Sequence, residues 1–162
     1  MNDDEYMRRI LAMERKLYRI AHSILWNDVD CADAIQEAVL KGWLKKSSLR
    51  EIAYFDTWLI RILINECRNI QRKEKLRLLP LDEGIRVQRE EDFVGNLQLR
   101  EALQRLPEKY RLVLLLHHLE GYDLQEIAQM LDSPRTMIKS RLHQARKALR
   151  ALLETGDENH AE

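Results

Sequence analysis

The chain has little of what builds turns and loops, with five glycines and three prolines among 162 residues. Apolar residues recur at helical spacing instead, and the predicted fold is all-α. No apolar run approaches the roughly 20 residues that span a bilayer. The opening Met1-Asn2-Asp3-Asp4-Glu5 is acidic where a secretion signal is cationic, so a cytoplasmic location is expected. The only two cysteines, Cys31 and Cys67, sit inside apolar helical patterns as small buried thiols would. Neither belongs to a C-x-x-C or paired Cys/His pattern, so no metal site and no cofactor is expected. A nucleophile elbow, a phosphate loop and a paired-carboxylate motif are all missing, which argues against an enzyme. The best remaining catalytic candidates, His117 and His118 with Glu120 and Asp123, are poorly placed. Adjacent helical histidines point about 100° apart, which suits neither a shared metal nor a proton relay.

Net charge is also missing, with 27 basic and 27 acidic residues, but the charges are segregated. Asp28, Asp30, Asp33 and Glu37 form an acidic stretch, whereas Arg61 to Arg77 and Arg135 to Arg150 are basic. Asp82, Glu83, Glu90, Glu91 and Asp92 dominate the segment between. Two basic helices separated by an acidic connector suggest two attachment points on one polyanion.

The strongest local pattern lies near the C-terminus. Leu124-Gln125-Glu126-Ile127-Ala128 with Leu131, a short break, and Ile138-Lys139-Ser140-Arg141-Leu142 have the layout of a helix-turn-helix. Ile138, Leu142, Ala145, Leu149 and Leu152 make one apolar face of the second helix. Thr136, Lys139, His143, Arg146 and Arg150 make a polar, mostly cationic face suited to phosphates and base edges. A solvated surface helix would carry a similar stripe, and it is the preceding helix that favours DNA.

The remaining periodicity predicts a first helix over Asp4 to Trp26, buried through Ile10, Met13, Leu17, Ile20 and Ile24. A second helix, capped by Asn27 or Asp28, runs to Lys46 with Ile35, Val39 and Gly42 facing inward. After a loop over Ser47 to Ala53, a third helix spans Tyr54 to Leu78, with Leu59, Leu63, Cys67 and Ile70 buried. Leu79 to Phe93, with Pro80 and Gly84, reads as linker. Helix resumes from Asn96 to Leu106. Pro107 starts another, Leu112 to Leu116 forms the C-terminal core, and Gly121 ends that helix. The expected organisation is a first domain over 1–78, a flexible linker over 79–95, a second domain over 96–154 and a frayed tail over 155–162.

Taken together, these segments resemble the extracytoplasmic-function (ECF) sigma factors, the minimal group IV of the main bacterial sigma family. Leu17-Tyr18-Arg19-Ile20-Ala21, Asp33-Ala34-Ile35-Gln36-Glu37-Ala38 and Phe55-Asp56-Thr57-Trp58-Leu59-Ile60-Arg61-Ile62 resemble sigma region two. Leu106-Pro107-Glu108-Lys109-Tyr110-Arg111, Leu119-Glu120-Gly121, Glu126-Ile127-Ala128 and Lys139 to Arg146 resemble region four. The resemblance implies a non-enzymatic initiation factor that binds core RNA polymerase and promoter DNA, usually restrained by an anti-sigma factor. Asp33, Gln36 and Glu37 would dock on the clamp helices of the polymerase beta-prime subunit. Ser47 to Tyr54 would form a pocket for an unstacked base of the minus-ten element, with Tyr54 and Phe55 at its mouth and Arg61, Asn65, Arg68 and Arg72 along the strand. Holding that base would offset the roughly 1.4 kcal/mol per step lost on opening DNA. For Trp58 a core position is the better reading; for Tyr54 and Phe55 core and stacking roles are evenly matched. Arg135, Thr136, Lys139 and His143 would enter the groove of the minus-thirty-five element, with Ser140 among them, while Arg141, Arg146 and Arg150 hold phosphates. Other helices of that domain would grip the flap of the beta subunit, and the acidic linker would lie along the RNA exit path.

Departures from the family pattern are few. Asp132-Ser133-Pro134 stands where Gly-Ile-Ser or Gly-Ile-Pro is usual, and Thr136-Met137 where Gly-Thr is common; Trp26 replaces a frequent glycine. A rival reading, a stand-alone helix-turn-helix regulator with an N-terminal sensing domain, explains the C-terminal half equally well. It leaves the Asp33-x-x-Gln36-Glu37 and Phe55-x-x-Trp58-Leu59 segments without a role.

Overall fold

Among the residues described by the computed structural model, 1–77 and 97–160, every regular element is helical. Asn2 begins α1 (Asp3–Ala12) by accepting the Glu5 N–H at 2.8 Å, and three acidic residues in the first turn complement the helix dipole. The single first helix expected from periodicity is interrupted at Met13, whose φ of −100° and ψ of 0° separate α1 from α2 (Glu14–Leu25). The apolar register survives the break, and Ile10, Met13, Leu17, Ile20 and Ile24 are all buried. Trp26 ends α2 with a left-handed φ of 61°, the conformation for which glycine is the usual choice. Its ring packs edge-on to His22 at 5.3 Å, an attractive contact at a strained position. Asn27 then caps α3 (Asp28–Lys45), its Oδ1 accepting the N–H groups of Val29 at 2.8 Å and Asp30 at 3.2 Å.

The inward face of α3 corrects the sequence expectation. Cys31, Ala34, Ala38 and Gly42 are buried, while Ile35 and Val39 are only half-buried and Leu40 and Leu44 are exposed. Small residues face inward because α3 lies tight against its neighbours. A Cβ on Gly42 would stand 2.5 Å from the Tyr6 hydroxyl and 3.3 Å from Leu59. Tyr6 cannot easily yield: it is fully buried, its hydroxyl donates to the Val39 carbonyl at 2.6 Å, and its ring packs edge-on against Phe55. Gly42→Ala is therefore expected to cost about 1–3 kcal/mol, read as a lowered thermal midpoint; an unchanged midpoint would mean that Tyr6 can move aside freely.

Two single 3₁₀ turns, Lys46–Ser48 and Ile52–Tyr54, lead to α4 (Phe55–Leu76). Phe55, Leu59, Leu63 and Cys67 are buried along it, joined by Ile60 and Ile64, whereas Ile70 is half-buried. A Lys41–Glu66 ion pair ties α3 to α4, and Lys16 and Asp56 pair at 3.6 Å between α2 and α4. The connector expected over Leu79 to Phe93, its acidic cluster, and the expected helix boundaries at Leu78 and Asn96 lie outside the described residues.

The C-terminal helices form a second unit. They are α5 (Leu97–Arg105), α6 (Glu108–Leu114) continuing into a π turn over Leu115–Leu119, α7 (Leu124–Leu131) and α8 (Arg135–His160). Leu112, Val113, Leu114 and Leu116 are buried at its centre, as the all-round apolar run predicts. Arg111 is buried with them, and its Nη1 donates to the Leu106 carbonyl at 3.0 Å and the Leu103 carbonyl at 3.5 Å. It thereby supplies a donor at the end of α5, where it joins the Leu106 N–H on the Leu103 carbonyl. Burial pulls its pKa down to about 10, far enough above neutrality to keep the charge. Gly121 closes the π turn with φ 78°. The frayed tail expected from residue 155 is instead helical backbone as far as His160, with Gly156 approaching Gln98 of α5.

Candidate nucleic-acid and polymerase interfaces

A capping box opens the helix-turn-helix. The Asp123 carboxylate accepts the Glu126 N–H at 2.8 Å, and the Glu126 carboxylate accepts the Asp123 N–H at 3.0 Å. Ile127 and Ala128 then anchor α7 in the core. At its end Asp132 takes a left-handed φ of 51°, and the Ser133 N–H returns to the Ala128 carbonyl at 3.0 Å. This is the glycine-type helix stop, performed by an aspartate, one of the few other residues that tolerate the conformation. The glycine missing from the turn thus has a functional substitute. Pro134 follows, its carbonyl accepting the N–H groups of Met137 at 3.0 Å and Ile138 at 3.2 Å to start α8.

Ile138, Leu142 and Ala145 bury one face of α8, whereas Leu149 and Leu152, expected on the same face, are only half-buried. Arg135, Thr136, Lys139, Ser140, His143 and Arg146 are exposed, and Arg141 is half-buried with its Nη2 3.6 Å from the Met137 sulfur. Arg141 and Arg146, five residues apart, diverge by about 140° around the helix. Arg141 lies on one flank of the exposed strip formed by Thr136, Ser140 and His143, and Arg146 lies on the other, beside Arg135 and Lys139. A strip of hydrogen-bonding groups with a cation on either side suits a groove bordered by phosphates.

In the first unit, Arg61, Asn65, Arg68 and Arg72 are exposed along α4, opposite its buried stripe. Arg72 donates to the Asn69 side chain at 2.5 Å, adding a neighbour that the sequence stripe omits. Tyr54 is 54% exposed, but Phe55 is 1% exposed. Phe55 is therefore corrected from candidate base contact to core residue: its ring is enclosed by Tyr6, by Trp58 at 5.9 Å and by the Arg9 guanidinium at 5.6 Å. Trp58 is half-buried, in keeping with its core reading.

Asp33, Gln36 and Glu37 are exposed on the outer side of α3. On one side Asp33 and Glu37 border a charged cleft that is also lined by Lys41 of α3 and by Asn69, Lys73 and Glu74 of α4. On the other lies an apolar groove lined by Met7, Ile35, Val39, Leu40 and Trp43. The residues nearer the start of α3 serve local structure. Asp28 accepts from the Tyr18 hydroxyl, and Asp30 shares a hydrogen bond with Glu74. That bond, with burial and the Asp30 charge, pushes the Glu74 carboxyl up to about 7. Burial, followed by the nearby Cys67 and the Asp28 and Asp30 charges, pushes the Cys31 thiol up to about 12, so it is unreactive at neutral pH.

The paired histidines are each engaged by a different partner. The His117 Nδ1–H donates to the Tyr122 carbonyl at 2.8 Å, and His118 faces Arg146 across the unit. Among the described residues, no three His, Cys, Asp or Glu side chains are grouped to hold a metal ion. No described helix is long and apolar enough to cross a membrane.

Comparison with known proteins agrees with this arrangement. Residues 10–77 match the family profile "Sigma-70 region 2", and residues 96–149 match "Sigma-70, region 4". The chain is 30% identical over 146 residues to the RNA polymerase sigma factor SigV of Bacillus subtilis, covering 89% of this chain and 88% of that protein. It is 30% identical over 139 residues to the ECF RNA polymerase sigma-E factor of Escherichia coli K12, covering 74% and 72%. The fold resembles that of the sigma factor RpoE crystallised with the anti-sigma factor NepR from Bartonella quintana. The TM-score is 0.79 at 22% identity, over 93% of this chain and 97% of that one. CnrH, solved with the cytosolic domain of CnrY, aligns with a TM-score of 0.67 at 21% identity, over 95% and 90%. The region 2 match occupies the part of the chain that the rival reading gives to a sensing domain. With a helix-turn-helix, a second basic helix and relatives matched over most of their length, the chain belongs to the ECF RNA polymerase sigma factors: it binds core RNA polymerase and directs promoter-specific transcription initiation, and is not an enzyme.

Proposed function

We propose that the two units divide promoter recognition between them while α3 carries the polymerase contact. The observation that carries this reading is the separation of three exposed surfaces on three helices: acidic on α3, and basic on α4 and on α8. Asp33, Gln36 and Glu37 dock on the basic clamp helices of the beta-prime subunit, which attract an acidic patch. Arg61, Asn65, Arg68 and Arg72 follow the minus-ten strand from the mouth of a pocket formed by residues 47–54, where Tyr54 stacks on a base. Arg135, Thr136, Lys139, Ser140 and His143 read the minus-thirty-five groove, with Arg141 and Arg146 on phosphates. The functional boundaries are 1–78 for region two, 79–95 for the connector, 96–154 for region four and 155–162 for the tail.

The protein acts in the cytoplasm, where its polymerase is. RpoE and CnrH have each been solved with a bound partner, NepR and the cytosolic domain of CnrY. By analogy, an anti-sigma factor holds this chain inactive by covering its polymerase-binding surfaces.

Mixing the purified chain with bacterial core RNA polymerase and sequencing the transcripts initiated on genomic DNA tests the whole scheme. Discrete starts sharing two upstream motifs are expected. Starts sharing only one motif would remove either α4 or α8 from promoter reading.

A further inference from the structure

Arg146 is braced from outside its own helix. Its Nε donates to His118 Nε2 at 3.0 Å, joining α8 to the π turn 28 residues earlier in the chain. A nitrogen that accepts carries no proton, so His118 is a neutral imidazole with its hydrogen on Nδ1. Desolvation, then the Arg146 cation and neighbouring His117, lower its pKa from the ordinary histidine value, which favours this neutral form. The turn that carries it is itself fixed. The Glu120 N–H reaches the Leu115 carbonyl at 3.0 Å, and His117 is tied to the Tyr122 carbonyl. The His117 ring also stands edge-on against that of His118 at 4.9 Å.

The geometry has a consequence for anion binding. A guanidinium presents five N–H donors in a rigid fork. With Nε engaged by His118, the donors on the two Nη atoms are those left for a phosphate. An unrestrained arginine would lose rotamer freedom on binding, whereas a braced one has already lost much of it. We propose that His118 is a positioning residue for promoter binding, holding the Arg146 guanidinium so that its Nη groups meet a backbone phosphate beside the minus-thirty-five element. The inference rests on the assignment of Arg146 as a phosphate contact.

The test is a double-mutant cycle on the reconstituted holoenzyme. The probe is an upstream promoter duplex taken from a transcript mapped as described above. His118→Ala is expected to weaken binding about three-fold, and Arg146→Ala to weaken it more while lowering the salt slope by about one. The double variant should be no weaker than Arg146→Ala alone. His118→Gln keeps an acceptor in the side chain and should restore most of the loss. His118 is exposed, so all variants should fold, and equal thermal midpoints would verify this. Additive losses in the double variant, or His118→Gln as weak as His118→Ala, would overturn the brace, because His118 would then act independently of Arg146. Wild-type binding by Arg146→Ala would instead overturn the phosphate assignment and the inference with it.

Discussion

Reversing the charge on α3, with Asp33→Lys and Glu37→Lys together, is expected to weaken binding to core RNA polymerase by roughly 30- to 150-fold, or about 2–3 kcal/mol. Both carboxylates are exposed, so little self-energy is lost when they are replaced. The penalty arises at the interface, where a basic partner would meet two added cations in place of two anions. Close charge pairs at interfaces carry coupling energies from about 1.5 kcal/mol upward, which sets the size of the effect. Surface changes of this kind leave stability within about 0.5 kcal/mol, so the thermal midpoint serves as control. Glu37 also lends its field to Lys41, but Lys41 keeps its pairing with Glu66. Unchanged affinity for core enzyme would remove this surface from the polymerase site.

Arg135→Ala with Lys139→Ala is expected to weaken holoenzyme binding to an upstream promoter duplex by about 30-fold or more. Each lost contact to a base edge is worth about 1–3 kcal/mol. Both side chains are exposed at the first turns of α8, and neither is needed to bury Ile138 or Leu142. The loss should differ between duplexes, because contacts to base edges discriminate sequence and contacts to phosphates do not. Measuring a set of minus-thirty-five variants separates the two. A loss of equal size on every sequence would reassign the pair to the backbone, and no loss would take both residues out of the site.

The parts of the molecule legible in its sequence are those that depend on one helix at a time. The buried stripes of α2, α4 and α8 follow from spacing alone, because each helix needs one apolar face. The helix-turn-helix was equally legible, down to the stop after α7, although the residue adopting the left-handed conformation is Asp132 and not glycine. What escaped depends on neighbours distant in sequence. Phe55 and Tyr54 are adjacent aromatics that look alike in a chain; Tyr6, 49 residues earlier, decides that only Phe55 is enclosed. The spacing around Arg111 does not show that it is buried, because the Leu103 and Leu106 carbonyls that receive it are brought beside it by the fold. Nothing in the spacing of His118 and Arg146 announces their meeting, since the π turn that carries His118 has no distinctive composition.

The tight seating of α3 has a consequence for how this protein can change. Growth is blocked at Gly42, where even one methyl group would collide with Tyr6. The bulk of the helix, in Val29, Leu40, Trp43 and Leu44, stands outward with the acidic residues. On the docking role proposed for its outer side, folding and partner choice are written in separate letters of the same eighteen-residue helix. Successive substitutions on the outer side can retune what the surface binds without reopening the question of whether the chain folds.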